Sequence, residues 1–130
     1  MRARKIVVGT DILLDHLRRR RRPSVLRVAM RSYFCYTTVF SAIELFVLAR
    51  NATERKAVRD SMAAMKLLGM NPKNAPLHAA LFRSHRSRRT LDLLNAGLCL
   101  ETGLPLLTGR TEAFKGIRGL TLLAPDDLRE

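Results

Sequence analysis

The chain has no tryptophan, only two cysteines, and few acidic residues, 11 Asp and Glu against 24 Lys and Arg in 130 residues. Cys35 and Cys99 lie far apart in apolar surroundings, without a CxxC or Cys/His companion, which argues against a disulfide framework or a zinc site and for buried free thiols. No stretch of about eighteen apolar residues occurs, and the N-terminal segment carries Arg2, Arg4, Lys5, Asp11 and Asp15 without a cleavable apolar region. A soluble, cytoplasmic protein without a membrane span is expected. The arginine run at 18–22 has no Trp or Phe stripe beside it, so a membrane-surface role ranks low. There is no internal repeat and no other low-complexity segment.

What the chain does have is positive charge, a formal net +13. Such an excess favours a polyanion as partner. Residues 1–32 hold ten basic and two acidic residues, and Arg83, Arg86, Arg88 and Arg89 with His85 form a second cluster. These two patches are candidate phosphate contacts, with Arg18 and Arg19 in the first and Arg86, Arg88 and Arg89 in the second. The alternative for the arginine run is a solvated helix end whose cations complement the helix dipole, or a docking face for an acidic segment.

A hydrophobic content of 47% suffices for one core, so a single domain over 1–130 is expected. Ile6 to Val8 is a β-branched run suited to a strand covered on both faces, and from Ile12 the apolar spacing turns helical until Pro23. Ser24 can cap a short helix to about Arg31, and Tyr33 to Thr38 supplies a second strand. Ser41 to Ala49 is a nearly all-apolar helix. Thr53 starts another, with Val58, Met62, Met65 and Leu68 facing inward and Gly69 stopping it. After a loop at 71–76, helical spacing resumes at Leu77, Leu81 and Phe82. Thr90 is a plausible N-cap for Leu91 to Thr102, closed by Gly103, and Leu104 to Thr108 and Leu120 to Leu123 suit the remaining strands. The alternation predicts an α/β fold, a three-layer α/β/α domain with a short parallel sheet of about four strands. Ligand sites in such sheets lie beyond the carboxyl ends of the strands, here just after Val8, Thr38 and Thr108.

Three carboxylates sit where burial makes them costly unless partnered: Asp11, Glu44 and Asp92, each within an apolar stretch. A shared hard cation, Mg²⁺ or Mn²⁺, would satisfy all three. So would separate roles, with Asp11 as an N-cap, Glu44 paired with an arginine, and Asp92 in a first helical turn. Residue types alone leave both open. His16, His78 and His85 are scattered and suit local hydrogen bonding better than general-base catalysis.

Val7-Val-Gly-Thr-Asp-Ile-Leu-Leu-Asp15, Ser41-Ala-Ile-Glu-Leu45, Asp92-Leu-Leu-Asn-Ala-Gly97 and Leu104-Pro-Leu-Leu-Thr-Gly-Arg-Thr-Glu-Ala-Phe114 follow one another in the order and spacing of a PIN domain. The chain resembles that family, and in particular the VapC toxins of bacterial toxin-antitoxin pairs. The resemblance implies a metal-dependent ribonuclease, Asp11, Glu44 and Asp92 as catalytic and metal-binding acids, Mg²⁺ or Mn²⁺ as cofactor, RNA as substrate, a VapB-like antitoxin and a homodimer. It also suggests that the Thr10 and Thr108 hydroxyls orient water or phosphate, with turn capping as the alternative, and it makes Thr108 and Arg110 candidate RNA contacts. Two positions depart from the pattern. Gly9 stands where the first acid is usual, and Arg110 where the closing loop often carries Asn or Asp. Glycine offers no ligand atom, and Arg110 sets a positive charge where a metal would sit. Asn95 stands where an apolar residue is more usual. Whether the chain is an enzyme is therefore left open by the sequence. The competing readings are an RNA-cleaving toxin or its inactive form, a non-catalytic RNA-binding or regulatory module, and a protein whose arginine-rich helix mainly docks an antitoxin.

Overall fold

A computed structural model describes residues 4–18 and 22–128, so Arg19 and most of the arginine run lie outside the described residues. Five strands, β1 (Arg4–Val8), β2 (Tyr33–Thr38), β3 (Lys66–Leu68), β4 (Leu106–Leu107) and β5 (Leu122–Leu123), form one sheet in the order β3-β2-β1-β4-β5. Every pairing is parallel, with Ile6 opposite Cys35 and Val8 opposite Leu107. The helices are α1 (Thr10–Arg18), α2 (Val25–Ser32), α3 (Val39–Leu48), α4 (Ala52–Ala63), α5 (Ala75–Ser84) and α6 (Thr90–Thr102).

Strand alternation explains the layers. Ile6 and Val8 point to one face, joining Leu13, Leu26, Leu45, Val58 and Leu107 in a core under α1 to α4. Val7 points to the other and meets Leu81, Leu93, Ala96, Cys99 and Leu106 under α5 and α6. Being covered on both faces, β1 has no use for a polar residue at its buried positions, which is why Ile6–Val8 carries no alternation. The α/β/α arrangement is thus as expected, with one strand more than the four anticipated.

The additional strand corrects the helix expected to run to Gly69. Helix α4 ends at Ala63, and Lys66–Leu68 pairs with the edge of β2, Tyr36 opposite Lys66 and Thr38 opposite Leu68. Val58 and Met62 are buried as expected; Met65 only packs against the core from its margin. Ser24 caps α2 by accepting from the Arg27 N–H, 3.2 Å. Thr90 is the first residue of α6 rather than its cap, and the Arg89 before it supplies no side-chain cap. Gly103, at φ 72°, closes α6 in the left-handed region that favours glycine. Both cysteines are free and buried, and burial pushes Cys35 up to about 11 and Cys99 up to about 12, so both thiols stay protonated and unreactive at neutral pH. No helix among the described residues is long and apolar enough to cross a membrane.

Candidate functional site

From β1 the chain first builds outward through β2 to β3, then crosses to β4 and β5 on the other side. The carboxyl ends of β1 and β4 therefore flank the point where strand order reverses, the usual place for a ligand crevice. Gly9, Thr10 and Asp11 leave β1 there, Thr38 ends β2 and starts α3, and residues 108–110 leave β4. Helix α6 runs against the strands, so Asp92 in its first turn reaches the same rim.

The three acids come to this rim, each already held. The Thr108 hydroxyl donates to Asp11 Oδ1 at 2.8 Å and the Gly109 N–H to Asp11 Oδ2 at 2.7 Å. Asp11 is thus no N-cap; it ties the start of α1 to the turn after β4. Arg89 Nη2 donates to Glu44 Oε2 at 2.7 Å. Arg110 forks onto Asp92, Nη1 to Oδ1 and Nη2 to Oδ2, both 3.1 Å, while Arg89 Nε lies 3.9 Å from Asp92 Oδ2. The bonds to Asp92 hold the Arg110 guanidinium above its ordinary range against partial desolvation, and the charges of Asp92, Asp11 and Glu44 add to the effect. Of the three acids only Asp92 contacts this guanidinium, while Arg89 lies between Asp92 and Glu44.

Behind them lies a buried polar chain. Thr38 caps α3 by accepting from the Ser41 N–H at 2.9 Å, its hydroxyl donates to Asn95 Oδ1, and the Ser41 hydroxyl lies 3.2 Å from that of Thr38 and 2.8 Å from that of Thr10. Ser41 is one turn before Glu44, and Asn95 one turn after Asp92. The chain thus fixes the spacing of the two helices that carry those acids, which accounts for a buried Asn at a position where an apolar residue is usual. The sequence marked Asn95 as odd but not what it bonds.

Other expected site residues fall out differently. Thr108 is buried and its hydroxyl is engaged by Asp11 and the Arg110 N–H, the turn-capping arrangement. Arg88 folds back on the carbonyls of Ala113 and Lys115 and on His85, bracing the loop after β4. Arg83 and Arg86 are exposed and make no ion pair among the described residues; Arg18 is exposed at the end of α1. Glu112, which follows the closing turn, lies 3.8 Å from Lys115 at the surface and among the described residues does not join the acids. His16 bonds locally to Ser24, as anticipated, whereas His78 is buried and bonds across to Glu101 on α6.

The carboxylates in this arrangement do not fit a divalent ion. Both oxygens of Asp92 face a guanidinium, both oxygens of Asp11 accept from the turn, and residue 9 contributes no atom. Among the described residues no three His, Cys, Asp or Glu side chains are grouped to hold a metal.

A family model described as PIN domain matches residues 6–119. The chain belongs to the PIN domain family. Solved structures agree on the fold. The VapBC2 complex of Rickettsia felis bound to a promoter DNA fragment contains a chain superposing at TM-score 0.82 with 15% identity, over 92% of this chain and 98% of that one. The VapBC-1 structure of nontypeable Haemophilus influenzae gives 0.79 and 15%, over 94% and 98%. A toxin-antitoxin complex from Klebsiella pneumoniae gives 0.72 and 21%, over 92% and 97%. No curated protein matches the chain in sequence. In this PIN domain Glu44 and Asp92 are each paired with an arginine, Arg89 and Arg110.

Proposed function

We propose that this PIN domain is a VapC-type component of a toxin-antitoxin pair that binds RNA through its phosphates and lacks the metal-dependent hydrolysis of its family. The observation that carries this is the forked Arg110–Asp92 pair, together with glycine at position 9. A net charge of +13 and the exposed Arg83 and Arg86, without an ion pair among the described residues, supply the phosphate-binding side of the reading. A second reading, an Mg²⁺- or Mn²⁺-dependent ribonuclease using Asp11, Glu44 and Asp92, is favoured by the meeting of those three acids at one rim of the sheet, with Arg89 spanning Glu44 and Asp92. The chemistry such an ion supplies in this family is activation of water against a phosphodiester.

Binding and cleavage of a structured-RNA pool separate the two. Affinity is expected to fall steeply with salt, to be unchanged by EDTA, and to come without cleavage in Mg²⁺ or Mn²⁺. Replacing both Arg83 and Arg86 with Ala is expected to reduce the salt slope by roughly 0.7 for each of the two that neutralises a phosphate. Cleavage that appears only with metal would put the ribonuclease reading first, salt-independent binding would remove the phosphates as the contact, and no binding would remove RNA as the partner.

A VapB-like antitoxin and a second copy of the chain are the proposed protein partners. A groove of about 520 Å³ between α1, α3 and α4, lined by Leu14, Leu17 and Leu48 together with Arg18, Arg50 and Glu54, suits an amphipathic antitoxin segment. Helix α3 also exposes Ile43, Phe46 and Val47, the last at 76%, a patch more apolar than solvent favours. Ile43→Lys with Val47→Lys is expected to turn a dimer into a monomer in light scattering; an unchanged mass would exclude this face as the contact.

A further inference from the structure

We infer that residues 9, 11 and 108–110 form one unit that seats the Arg110 guanidinium among the acids, so that this PIN site carries its own fixed cation and excludes a divalent one. The inference rests on the reading above that metal-dependent hydrolysis is absent.

The unit is continuous in space. Gly9 packs against β4, its N–H donating to the Leu107 carbonyl at 2.8 Å. A Cβ at position 9 would lie 2.9 Å from that same carbonyl oxygen and 3.0 Å from Asp11 Oδ1. The absence of a side chain therefore lets the Asp11 carboxylate lie across the turn, where it accepts from Thr108 Oγ1 and the Gly109 N–H. A Cβ on Gly109 would come 3.2 Å from Asp11 Oδ2, so this residue too is close-fitted to the carboxylate. Thr108 Oγ1 in turn accepts the Arg110 N–H at 3.0 Å. With its backbone so held, Arg110 projects onto Asp92 and satisfies both carboxylate oxygens in the parallel fork that guanidinium geometry allows and an ammonium does not.

Asp11 is thereby a positioning residue for Arg110 rather than a ligand, and the two departures from the family pattern, at 9 and 110, are parts of one arrangement. The loss of an acid at 9 and the gain of a cation at 110 act in the same direction: the site sheds one negative charge and places a positive one on Asp92, beside the Arg89 that pairs with Glu44. A side chain tethered at that point need not be bound from solution, and its charge repels an incoming metal ion.

The test uses the whole chain and Mn²⁺ alone, reading free Mn²⁺ by electron paramagnetic resonance and folding by circular dichroism. Wild type is expected to leave the signal unchanged at millimolar Mn²⁺. Arg110→Ala is expected to take up Mn²⁺ on the order of tenfold or more tighter than wild type, the size of effect expected when one unit charge a few ångströms from a cation is removed. Arg110→Gln gives the same neutral comparison if the Ala variant unfolds. Arg110→Lys, which keeps the charge but not the fork, is expected to fall between wild type and the neutral variants, and adding Asp92→Asn to the neutral variant is expected to abolish uptake. Uptake by wild type equal to that of the neutral variants, or none by either folded neutral variant, overturns the inference. RNA binding in EDTA is read on the same samples: its loss from wild type sinks the RNA-binding reading while leaving the Mn²⁺ comparison intact.

Discussion

Gly9→Asp, which places an acid where the family resemblance leads one to expect it, is expected to lose about 2–3 kcal/mol of stability and to leave RNA uncleaved in Mn²⁺. The site has no room for it. The new Cβ would meet the Leu107 carbonyl oxygen at 2.9 Å, and that oxygen accepts the N–H of residue 9 itself in the β1–β4 junction, so neither strand can give without breaking the bond. On the other side it would meet Asp11 Oδ1 at 3.0 Å and Thr108 Cβ at 3.4 Å. The carboxylate then adds a like charge beside Asp11, which favours displacement of one acid or protonation of the other. Chemical denaturation of wild type, Gly9→Ala and Gly9→Asp separates the effects, since Gly9→Ala carries only the overlap. The midpoint of thermal unfolding is expected to drop by about 10 °C for the aspartate variant. A Gly9→Asp protein as stable as wild type and active with Mn²⁺ would mean that position 9 alone had disabled an otherwise intact nuclease site.

The fold was largely legible because its main determinants are local. A β-branched run, a Gly-Thr break and a switch to helical spacing specify the first βα unit, and Ser24 and Gly103 mark helix ends through their own chemistry. Strand β3 was not legible. Met65 and Leu68 continue the spacing of Val58 and Met62, and Gly69 is a natural helix stop, so the local pattern favours a longer α4. What decides otherwise is non-local: the free edge of β2 pairs with three residues whose own composition carries no strand signal.

The site was legible as residues and not as bonds. Asp11, Glu44 and Asp92 stand out because each interrupts an apolar stretch, and parallel-sheet topology predicts the rim on which they meet. Which cation each would take could not be read from a chain holding 24 basic residues. Of the two open arrangements, the structure follows separate partners for Glu44 and Asp92, and for Asp11 it follows neither, because the donors of Thr108 and Gly109 lie nearly a hundred residues away in sequence. Arg88 and Arg89 likewise count as free positive charge in the sequence, whereas folding commits one to backbone carbonyls and the other to Glu44.

Gly97→Ala is expected to destabilise the protein by about 2–3 kcal/mol, although alanine is the better helix former by about 1 kcal/mol. Gly97 lies inside α6 where α5 crosses it, and a Cβ there would be 2.3 Å from Nδ1 and 2.5 Å from Cε1 of His78. His78 cannot easily retreat, being 5% exposed and bonded through Nε2 to Glu101 Oε1 at 3.1 Å; the carboxylate can only accept, so Nε2 carries the proton. Glu101 Oε2 also accepts the Asn71 N–H at 3.3 Å, so moving the ring disturbs the entry to α5 as well. Nδ1 has no hydrogen-bond partner among the described residues, which places the ring where packing against bare glycine backbone, not a polar bond, sets its position. The propensity gain and the overlap have opposite signs, and the overlap is larger because it costs a buried charge-assisted bond as well as packing. A double-mutant cycle with His78→Ala isolates the term: with the ring gone, Gly97→Ala is expected to be neutral or to stabilise by up to about 1 kcal/mol. The same loss in both backgrounds would show that the glycine is needed for the backbone of α6 itself and not for the close approach of α5.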